Sequence, residues 1–494
     1  MALPHARWHT KHMAKDPPRS RGDNRSAPIS EAFRSFIQTG WSQGSASTAT
    51  RLRVADYAAS RRAALSEQFP DLTLVIPAGS PKQRSNDTDY PYRPHSAFTY
   101  FTGWGHDATA GSILQGLWAN DHHEWTLLVR GPAPRTSDEF YANAAIGEFW
   151  TGRRPSLDDV ATQYGLPTAE RDTFSFDTEH SAAVALIWEA DSALSQELQT
   201  LRGTEGPQPV DADLERVSSE MRLVKDDLEI SELREAVAST HRGFTDIITA
   251  LPRAIGHERG ERVIEGAFTQ RARLEGNTVG YDSIVAAGSH ACILHWVDND
   301  GPITDGDLLL VDAGVERESL YTADITRTVP VNGRFTPHQR LVYEAVLEAA
   351  DAAFDAVKPG VAFHTIHDTA MAVIARHVSE WGFLPVSLEE TLEKTSQLHR
   401  RYMIHGTSHH LGLDVHDCAH ARKDRYLQGT LEAGMVFTIE PGLYFQPDDE
   451  TVPPEWRGIG VRIEDDILVT TTGAENLSAA IPRTADAVEA WMAG

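Results

Sequence analysis

Residues 307–331 read DLLLVDAGVERESLYTADITRTVPV, and this stretch gives the first indication of the fold. Two apolar runs typical of buried strands each contain an aspartate, Asp312 in the first and Asp324 in the second. The same pattern returns at Glu440 in MVFTIEPG and at Glu464 in VRIEDDILV. Burying an uncompensated carboxylate is costly, so four of them in apolar strands must either point to solvent or lie near cations.

A histidine-rich segment, HGTSHHLGLDVHD at residues 405–417, accompanies these strands. Its histidines His405, His409 and His416 are four and seven residues apart, and His410 follows His409 directly. Imidazole is a common metal ligand and a proton carrier near neutral pH. Oxygen-rich ligation with one imidazole favours Mn²⁺, Co²⁺ or Zn²⁺, and several carboxylates can bridge two ions. Such a pair would acidify a shared water and polarise a carbonyl, which is chemistry suited to amide hydrolysis.

Composition excludes several classes of protein. The 494-residue chain predicts two or three domains, and its two cysteines, Cys292 and Cys418, fit a reducing compartment. A net charge of -26 opposes binding to nucleic acid or an anionic membrane. We see neither an apolar run long enough to span a bilayer nor the apolar centre of a signal peptide. We therefore expect a cytoplasmic protein with a small or peptidic partner, and no nucleic-acid or membrane partner.

The chain divides into four parts. Residues 1–50 are basic and proline-containing and predict a disordered or extended segment; residues 51–205 predict an α/β domain. Within that domain we expect helices at 54–69 and 157–164 and strands at 72–76, 98–102, 113–118 and 125–129. We interpret residues 206–225 as a linker between the two domains. A larger domain at 226–494 begins with a capping box, Asp226 with Glu229, and contains long helices near 258–274, 336–356 and 363–380.

The ordered motifs resemble those of the M24 metallopeptidases, in their aminopeptidase P and prolidase branch. The catalytic half carries GYDSIVAAGSHACILHW, VDAG, ADITRTVPVNG, HGTSHHLGLDVHD, FTIEPGLY and GVRIEDD in the family order. NDTDYPYRPHSAFTYFTGW and EFWTGRRPS resemble the N-terminal half of aminopeptidase P. The resemblance implies an α/β (α+β) fold, with a pita-bread catalytic domain preceded by a smaller α/β domain. It also implies hydrolysis of the N-terminal Xaa-Pro bond of peptides by a two-metal-activated hydroxide.

The resemblance assigns site residues position by position. It implies two divalent ions, most often Mn²⁺ with Co²⁺ or Zn²⁺ as alternatives, held by Asp312, Asp324, His409, Glu440 and Glu464. It gives catalytic roles to His416, His295, His405 and Arg462, and substrate contacts to Tyr281, Tyr444, Arg425, Asp87 and Trp150. Asp87 and Trp150 match N-domain residues that reach the active site, which agrees with a homodimer or homotetramer. The loop after His416 is longer than in the family, which weakens the assignment of Arg425.

Three other functions are open at this point. A prolidase would accept only Xaa-Pro dipeptides, and the loops that set substrate length are read poorly from sequence. An inactive peptide-binding module could share the fold, because fold does not imply activity. An intracellular creatinase-like hydrolase is harder to reconcile with a complete set of metal ligands.

Overall fold

The computed structural model describes residues 30–42, 48–86 and 88–493. The helices are α1 Glu31–Ile37, α2 Val54–Gln68, α3 Ser96–Thr102, α4 Glu139–Ala142, α5 Glu148–Thr151, α6 Leu157–Tyr164, α7 Ser192–Arg202, α8 Pro209–Met221, α9 Asp227–Ala254, α10 Gly260–Glu275, α11 Pro337–Asp355, α12 His364–Glu380, α13 Leu388–Leu392 and α14 Ala485–Met492.

The strands follow the same chain order. They are β1 Thr73–Pro77, β2 Gln83–Ser85, β3 Thr88–Asp89, β4 Ile113–Ala119, β5 His122–Val129, β6 Thr168–Glu170, β7 Val184–Leu186, β8 Thr278–Val279, β9 Ile284–Ala287, β10 Leu308–Ala313, β11 Val315–Glu316, β12 Ile325–Pro330, β13 Val436–Ile439, β14 Gly442–Tyr444, β15 Gly460–Arg462, β16 Asp465–Val469 and β17 Ala474–Asn476.

The N-terminal unit is built on a five-stranded mixed sheet in the order β6-β5-β4-β1-β7. The expected helices at 54–69 and 157–164 and the strands at 72–76, 113–118 and 125–129 are present as α2, α6, β1, β4 and β5. The strand expected at 98–102 is wrong, because these residues belong to α3. Every residue of α3 is buried, so its sequence lacks the polar face that distinguishes a helix from a strand.

Two other segments differ from the expected organisation. Residues 206–225 contain α8, which begins with Pro209 in its first turn and buries Leu214, so most of this linker is helical. Within residues 1–50, α1 is a helix capped by the side chain of Ser30. Its Ile37 packs against Phe140. The remainder of the expected disordered segment lies largely outside the described residues, since 1–29 and 43–47 are not described.

In the C-terminal unit, residues 226–493, pairs of long helices pack against small antiparallel sheets. Helix α9 begins at the predicted capping box of Asp226 and Glu229 and packs along α10. The sheets are ordered β12-β10-β9 and β13-β16-β17, and the β14-β15 pair lies between β13 and β16 in sequence. The three long helices expected near 258–274, 336–356 and 363–380 are present as α10, α11 and α12. The acidic residues in and next to the strands of both sheets therefore lie close to one another.

Ion pairs join the histidine-rich segment and β11 to earlier parts of the chain. Arg222 and Lys225, which precede α9, contact the carboxylate of Asp417 at 3.0 and 3.3 Å. From the N-terminal unit, Arg93 pairs with Glu316 at 2.8 Å and with Asp414 at 3.3 Å. These contacts fix the segment that holds His409 and His416. In a separate observation, no described helix is both long and apolar enough to cross a membrane.

Candidate metal centre

A cavity of about 640 Å³ opens in the C-terminal unit where the sheets meet. Acidic, histidine and apolar side chains share its wall. The lining residues are Tyr281, Asp282, Ile284, Leu294, His295, Val297, Asp312, Asp324, His405, Gly406, Ser408, His409, Val415, His416, Tyr426, Glu440, Arg462 and Glu464. All five residues predicted as metal ligands are therefore in one cavity.

Strand pairing brings the acids together. Asp312 lies on β10 opposite Thr326 of β12, and Asp324 comes directly before β12. Glu440 follows β13, and Glu464 lies between β15 and β16. His409 is held beside β13, because its carbonyl accepts a hydrogen bond from the backbone N–H of Thr438 at 2.9 Å. Residues more than a hundred positions apart thus reach the same point in space.

The distances between side chains are short enough for a shared ion. Nε2 of His409 lies 3.2 Å from Oδ2 of Asp324 and 3.6 Å from Oε1 of Glu440. One potential ligand atom from each of Asp324, His409 and Glu464 lies within 4.8 Å of the other two. Carboxylates and imidazole in this arrangement suit a divalent cation.

The electrostatics of this cluster also fit cations. Burial, followed by repulsion from neighbouring carboxylates, raises the pKa of Asp324 and of Glu464. Burial raises the pKa of Glu440 to about 7 against the opposing effects of His409 and Arg462. Burial would lower the pKa of His409, but the hydrogen bond to Asp324 and the negative charges of Glu440 and Asp324 together outweigh this and raise the pKa to about 9. Without cations, these acids favour protonation, so the residues fit divalent ions that compensate their charge.

Arg462 supplies the nearest fixed positive charge. Its Nη2 donates to Oδ2 of Asp312 at 2.6 Å, and its Nη1 donates to the Tyr444 hydroxyl at 3.1 Å. Its Nε donates to Oγ1 of Thr326 at 3.1 Å, and that hydroxyl donates to Oε2 of Glu464 at 2.7 Å. One guanidinium therefore orients carboxylates from β10 and from the β15–β16 connection.

Tyr281 contacts two of the acidic residues, Asp312 and Asp324, through its hydroxyl group. Its hydroxyl lies 2.6 Å from Oδ1 of Asp312 and also contacts Oδ1 of Asp324. Burial, followed by the negative charge of Asp312, raises the pKa of Tyr281 well above its ordinary value. The group therefore stays a neutral phenol and serves as a hydrogen-bond donor to the carboxylates.

Three predicted histidines line the cavity in different ways. Nδ1 of His405 donates to the Gly406 carbonyl at 2.6 Å, which leaves Nε2 to accept from the Tyr444 hydroxyl at 2.8 Å. Burial, with Arg462 nearby, lowers the pKa of His405 to about 3, in agreement with this neutral form. His295 and His416 are exposed at the cavity, and the ring of His416 lies 4.4 Å from that of His409.

His410 is separated from the centre although it is adjacent to His409. Its ring stacks on Phe363 with centroids 4.7 Å apart, and the residue is buried. Burial lowers its pKa to about 3. The structure therefore places His409, rather than His410, beside the carboxylates.

Two other predicted residues, Arg425 and Trp150, do not line this cavity, and a third is not described. Arg425 is exposed on the loop after His416, and its neighbour Tyr426 lines the wall instead. Trp150 is 60% exposed, and its indole donates to the carbonyl of Tyr141. Asp87 lies outside the described residues. Within one chain, the structure therefore gives Arg425 and Trp150 no contact with the centre.

Sequence reasoning missed several contributors. Thr326, Asp466, Tyr426 and Asp282 each touch the centre or its cavity. Oδ2 of Asp466 accepts from the backbone N–H of Asp324, and burial raises the pKa of Asp466 well above its ordinary value. The two-residue period of a strand could have indicated Thr326, two residues after Asp324, and Asp466, two residues after Glu464. Tyr426 and Asp282 had no such signal.

A peptide-sized cavity with buried carboxylates, an imidazole ligand and free histidines defines a metallohydrolase class of site. Residues 58–185 match the description "Aminopeptidase P, N-terminal domain" and residues 231–471 match "Metallopeptidase family M24". Xaa-Pro aminopeptidase 2 of Streptomyces coelicolor is 48% identical over 94% of this chain and 97% of its own length. Xaa-Pro aminopeptidase of Escherichia coli is 34% identical over 87% of this chain and 96% of its own length.

Solved structures agree with these sequence matches. Aminopeptidase PepP of Pseudomonas aeruginosa superposes with a TM-score of 0.76 at 32% identity, covering 90% of this chain and 98% of that one. Aminopeptidase P of E. coli with the inhibitor Pro-Leu also gives 0.76 at 32% identity, covering 89% and 98%. The chain belongs to the aminopeptidase P branch of metallopeptidase family M24. Membership in this family implies divalent metal ions and the pita-bread fold.

Proposed function

We propose that this chain is a metal-dependent aminopeptidase that removes the residue preceding a proline from the N-terminus of a peptide. The convergence of Asp312, Asp324, His409, Glu440 and Glu464 on one cavity carries this proposal. Relatives named Xaa-Pro aminopeptidase, which align over most of the chain, support the substrate class.

The proposed ligand arrangement uses all five residues. Asp312, Asp324, His409, Glu440 and Glu464 would together hold two divalent ions. Mn²⁺ is the proposed ion, with Co²⁺ and Zn²⁺ as alternatives, because oxygen ligands predominate. When bound, the ions supply an acidified water and polarise the peptide carbonyl.

The remaining residues bind, orient and move protons. His416 is exposed to the cavity beside His409, where its imidazole can exchange a proton with the reacting amide. Tyr444 and Arg462 fix the orientation of His405 through the bond between the Tyr444 hydroxyl and Nε2. Tyr281 keeps Asp312 and Asp324 in position.

Proline is proposed to be selected by shape. The bond before proline is a tertiary amide with no N–H to donate, so the enzyme must recognise the ring by packing. His295 and His405 lie in the cavity together with apolar side chains, among them Leu294 and Val297. These apolar side chains would accept the pyrrolidine ring by packing, without a hydrogen bond.

A peptide panel tests the reaction and the main rival together. Ala-Pro, Ala-Pro-Ala and Ala-Pro-Ala-Ala-Ala are incubated with metal-loaded protein, and released alanine is measured. Cleavage of all the longer peptides supports the aminopeptidase, whereas cleavage of the dipeptide alone indicates a prolidase. Peptide binding without any cleavage would indicate an inactive binding module. Glu440→Gln is the matched inactive control.

Location and assembly are proposed from residues outside the metal centre. We assign the protein to the cytoplasm because Cys292 and Cys418 are both buried free thiols. A homodimer or homotetramer would account for the exposure of Trp150 away from its own cavity, since it could then reach a neighbouring subunit. Asp87 is proposed to act in the same way. Size-exclusion chromatography with light scattering tests the assembly.

A further inference from the structure

The N-terminal unit has a second cavity, of about 840 Å³, that shares no lining residue with the metal centre. Helix α2 forms one wall and the end of the β4–β5 hairpin forms the other. The side chains that line it include Arg62, Glu67, Trp118, Asp121, Glu124 and Trp125. Nothing in the reaction proposed above uses this cavity.

Arg62 is a buried cation in this cavity without a counter-ion. Only 4% of the residue is exposed, and its Nη1 donates to the Phe101 carbonyl at the end of α3 at 2.6 Å. Among the described residues, no carboxylate pairs with Arg62 and no second acceptor receives its other N–H groups. Burial, with Arg51 nearby, lowers the pKa of Arg62 to about 10.

Arg61, the preceding residue, is also a buried arginine, but carboxylates compensate its charge. Arg61 is equally buried, but it pairs with Asp226 at 2.7 Å and with Glu229 at 3.4 Å. Burial opposes the charge of Arg61 as well, yet neighbouring groups that include Glu229 raise its pKa. One carbonyl at a helix end offsets only part of the cost of a buried guanidinium. Arg62 therefore has donors available for a carboxylate that enters the cavity.

The same cavity has an aromatic wall, and contacts with neighbouring residues hold its rings in place. Trp125 pairs with Gly116 across the hairpin, and a Cβ at Gly116 would lie 2.9 Å from the indole ring. Glycine at this position lets the ring lie against β4. The ring of His123 is 5.1 Å from that of Trp118 and 5.3 Å from that of Trp125, and the contacts with Ser66 and Leu72 fix its orientation. Such a surface suits a flat apolar ring.

Acidic side chains at the rim of the cavity restrict which anionic ligands can enter it. Glu67, Asp121 and Glu124 are exposed and would repel a ligand that carries only negative charge. They would attract an ammonium group. We propose that this cavity binds a zwitterion with a ring side chain, its carboxylate on Arg62 and its ring against Trp118 and Trp125. A free aromatic amino acid and a short peptide with an aromatic C-terminal residue both have this chemistry. Binding at this cavity does not depend on the proposed reaction.

Isothermal titration of the metal-loaded protein tests the site with L-phenylalanine, Gly-Phe and L-phenylalaninamide, which lacks the carboxylate. We expect one site per chain for at least one of the two carboxylate ligands, and about tenfold weaker binding of the amide. The tighter of the two carboxylate ligands identifies the source. Arg62→Gln and Trp118→Ala should each weaken binding by about tenfold.

Two control variants separate binding at this cavity from binding elsewhere on the chain. Trp41→Ala removes an exposed tryptophan outside the cavity and should leave binding unchanged. Glu440→Gln alters the metal centre and should also leave it unchanged. Absence of binding by both carboxylate ligands would overturn the proposal, as would loss of binding in Glu440→Gln. If Arg62→Gln does not fold, Trp118→Ala decides, and unchanged affinity in that variant likewise overturns it.

Discussion

Arg462 donates from Nη2 to Oδ2 of Asp312 at 2.6 Å, across a sequence separation of 150 residues. Both residues are buried, so little water screens this ion pair. The same guanidinium also bonds to Tyr444 and Thr326, which makes Arg462 the point where β10, β12, β14 and β15 meet at the metal centre.

Replacing Arg462 with lysine should reduce kcat by about 10- to 100-fold and weaken metal binding. Lysine keeps the charge but cannot bond to Asp312, Tyr444 and Thr326 together from one planar group. Steady-state kinetics and metal titration measure both effects. Arg401→Lys is the matched control, because Arg401 pairs with Asp449 away from the cavity and is about half exposed. Wild-type kcat in Arg462→Lys would contradict the orienting role.

Removal of metal should abolish turnover and lower Tm by roughly 5 to 10 °C. Four carboxylates in one cavity repel one another when no cation compensates them, and bound ions stabilise only the folded state. Chelation, dialysis and add-back of Mn²⁺, Co²⁺ or Zn²⁺ are followed by activity and differential scanning calorimetry. An apoprotein that retains both full turnover and the original Tm would contradict a metal centre.

Changing Asp417 to asparagine should cost about 3 to 5 kcal/mol of unfolding free energy. Asp417 is 1% exposed, and its loss would leave Arg222 and Lys225 buried without their shared anion. Gly412 packs so closely that a Cβ there would lie 2.2 Å from Oδ2 of Asp417, so the loop cannot easily rearrange. Urea unfolding measures the change.

Asp246→Asn is the control for this buried pair. Asp246 also contacts an arginine, Arg271 at 2.7 Å, but the two side chains are 35% and 25% exposed. We expect a loss of about 1 kcal/mol or less, because solvent screens the pair. Equal losses in Asp246→Asn and Asp417→Asn would show that burial does not decide the cost.

The stability contributed by Glu275 should depend on pH. Hydrogen bonds from Arg242, and less strongly from Arg271, outweigh burial and lower the pKa of Glu275 to about 2. A lowered folded-state pKa stabilises the protein above the unfolded value of about 4.3, and this contribution is lost as pH falls toward about 2. Glu275→Gln should therefore cost on the order of 1 kcal/mol at pH 7 and less at pH 3. Urea unfolding at both pH values tests this, and a pH-independent difference would contradict it.

Sequence reasoning succeeded where the signal was local or repeated. The capping box at Asp226 predicted the start of α9, and the acids singled out in apolar runs line one cavity in the structure. It failed at α3, because a fully buried helix has no polar face for the helical period to reveal. It also failed at Arg425, since a longer loop turns Tyr426 rather than Arg425 toward the cavity.

The sequence by itself determined the family, the order of the motifs and the kinds of side chain at the centre. These are properties of residue type and local spacing, which survive without knowledge of distant contacts. Only the tertiary structure decided that Arg462 orients Asp312, that His410 stacks on Phe363 rather than facing the acids, and that Arg62 lacks the carboxylates that Arg61 has. Each of these depends on residues far apart in sequence, and their meeting is fixed by strand register and packing rather than by any local pattern.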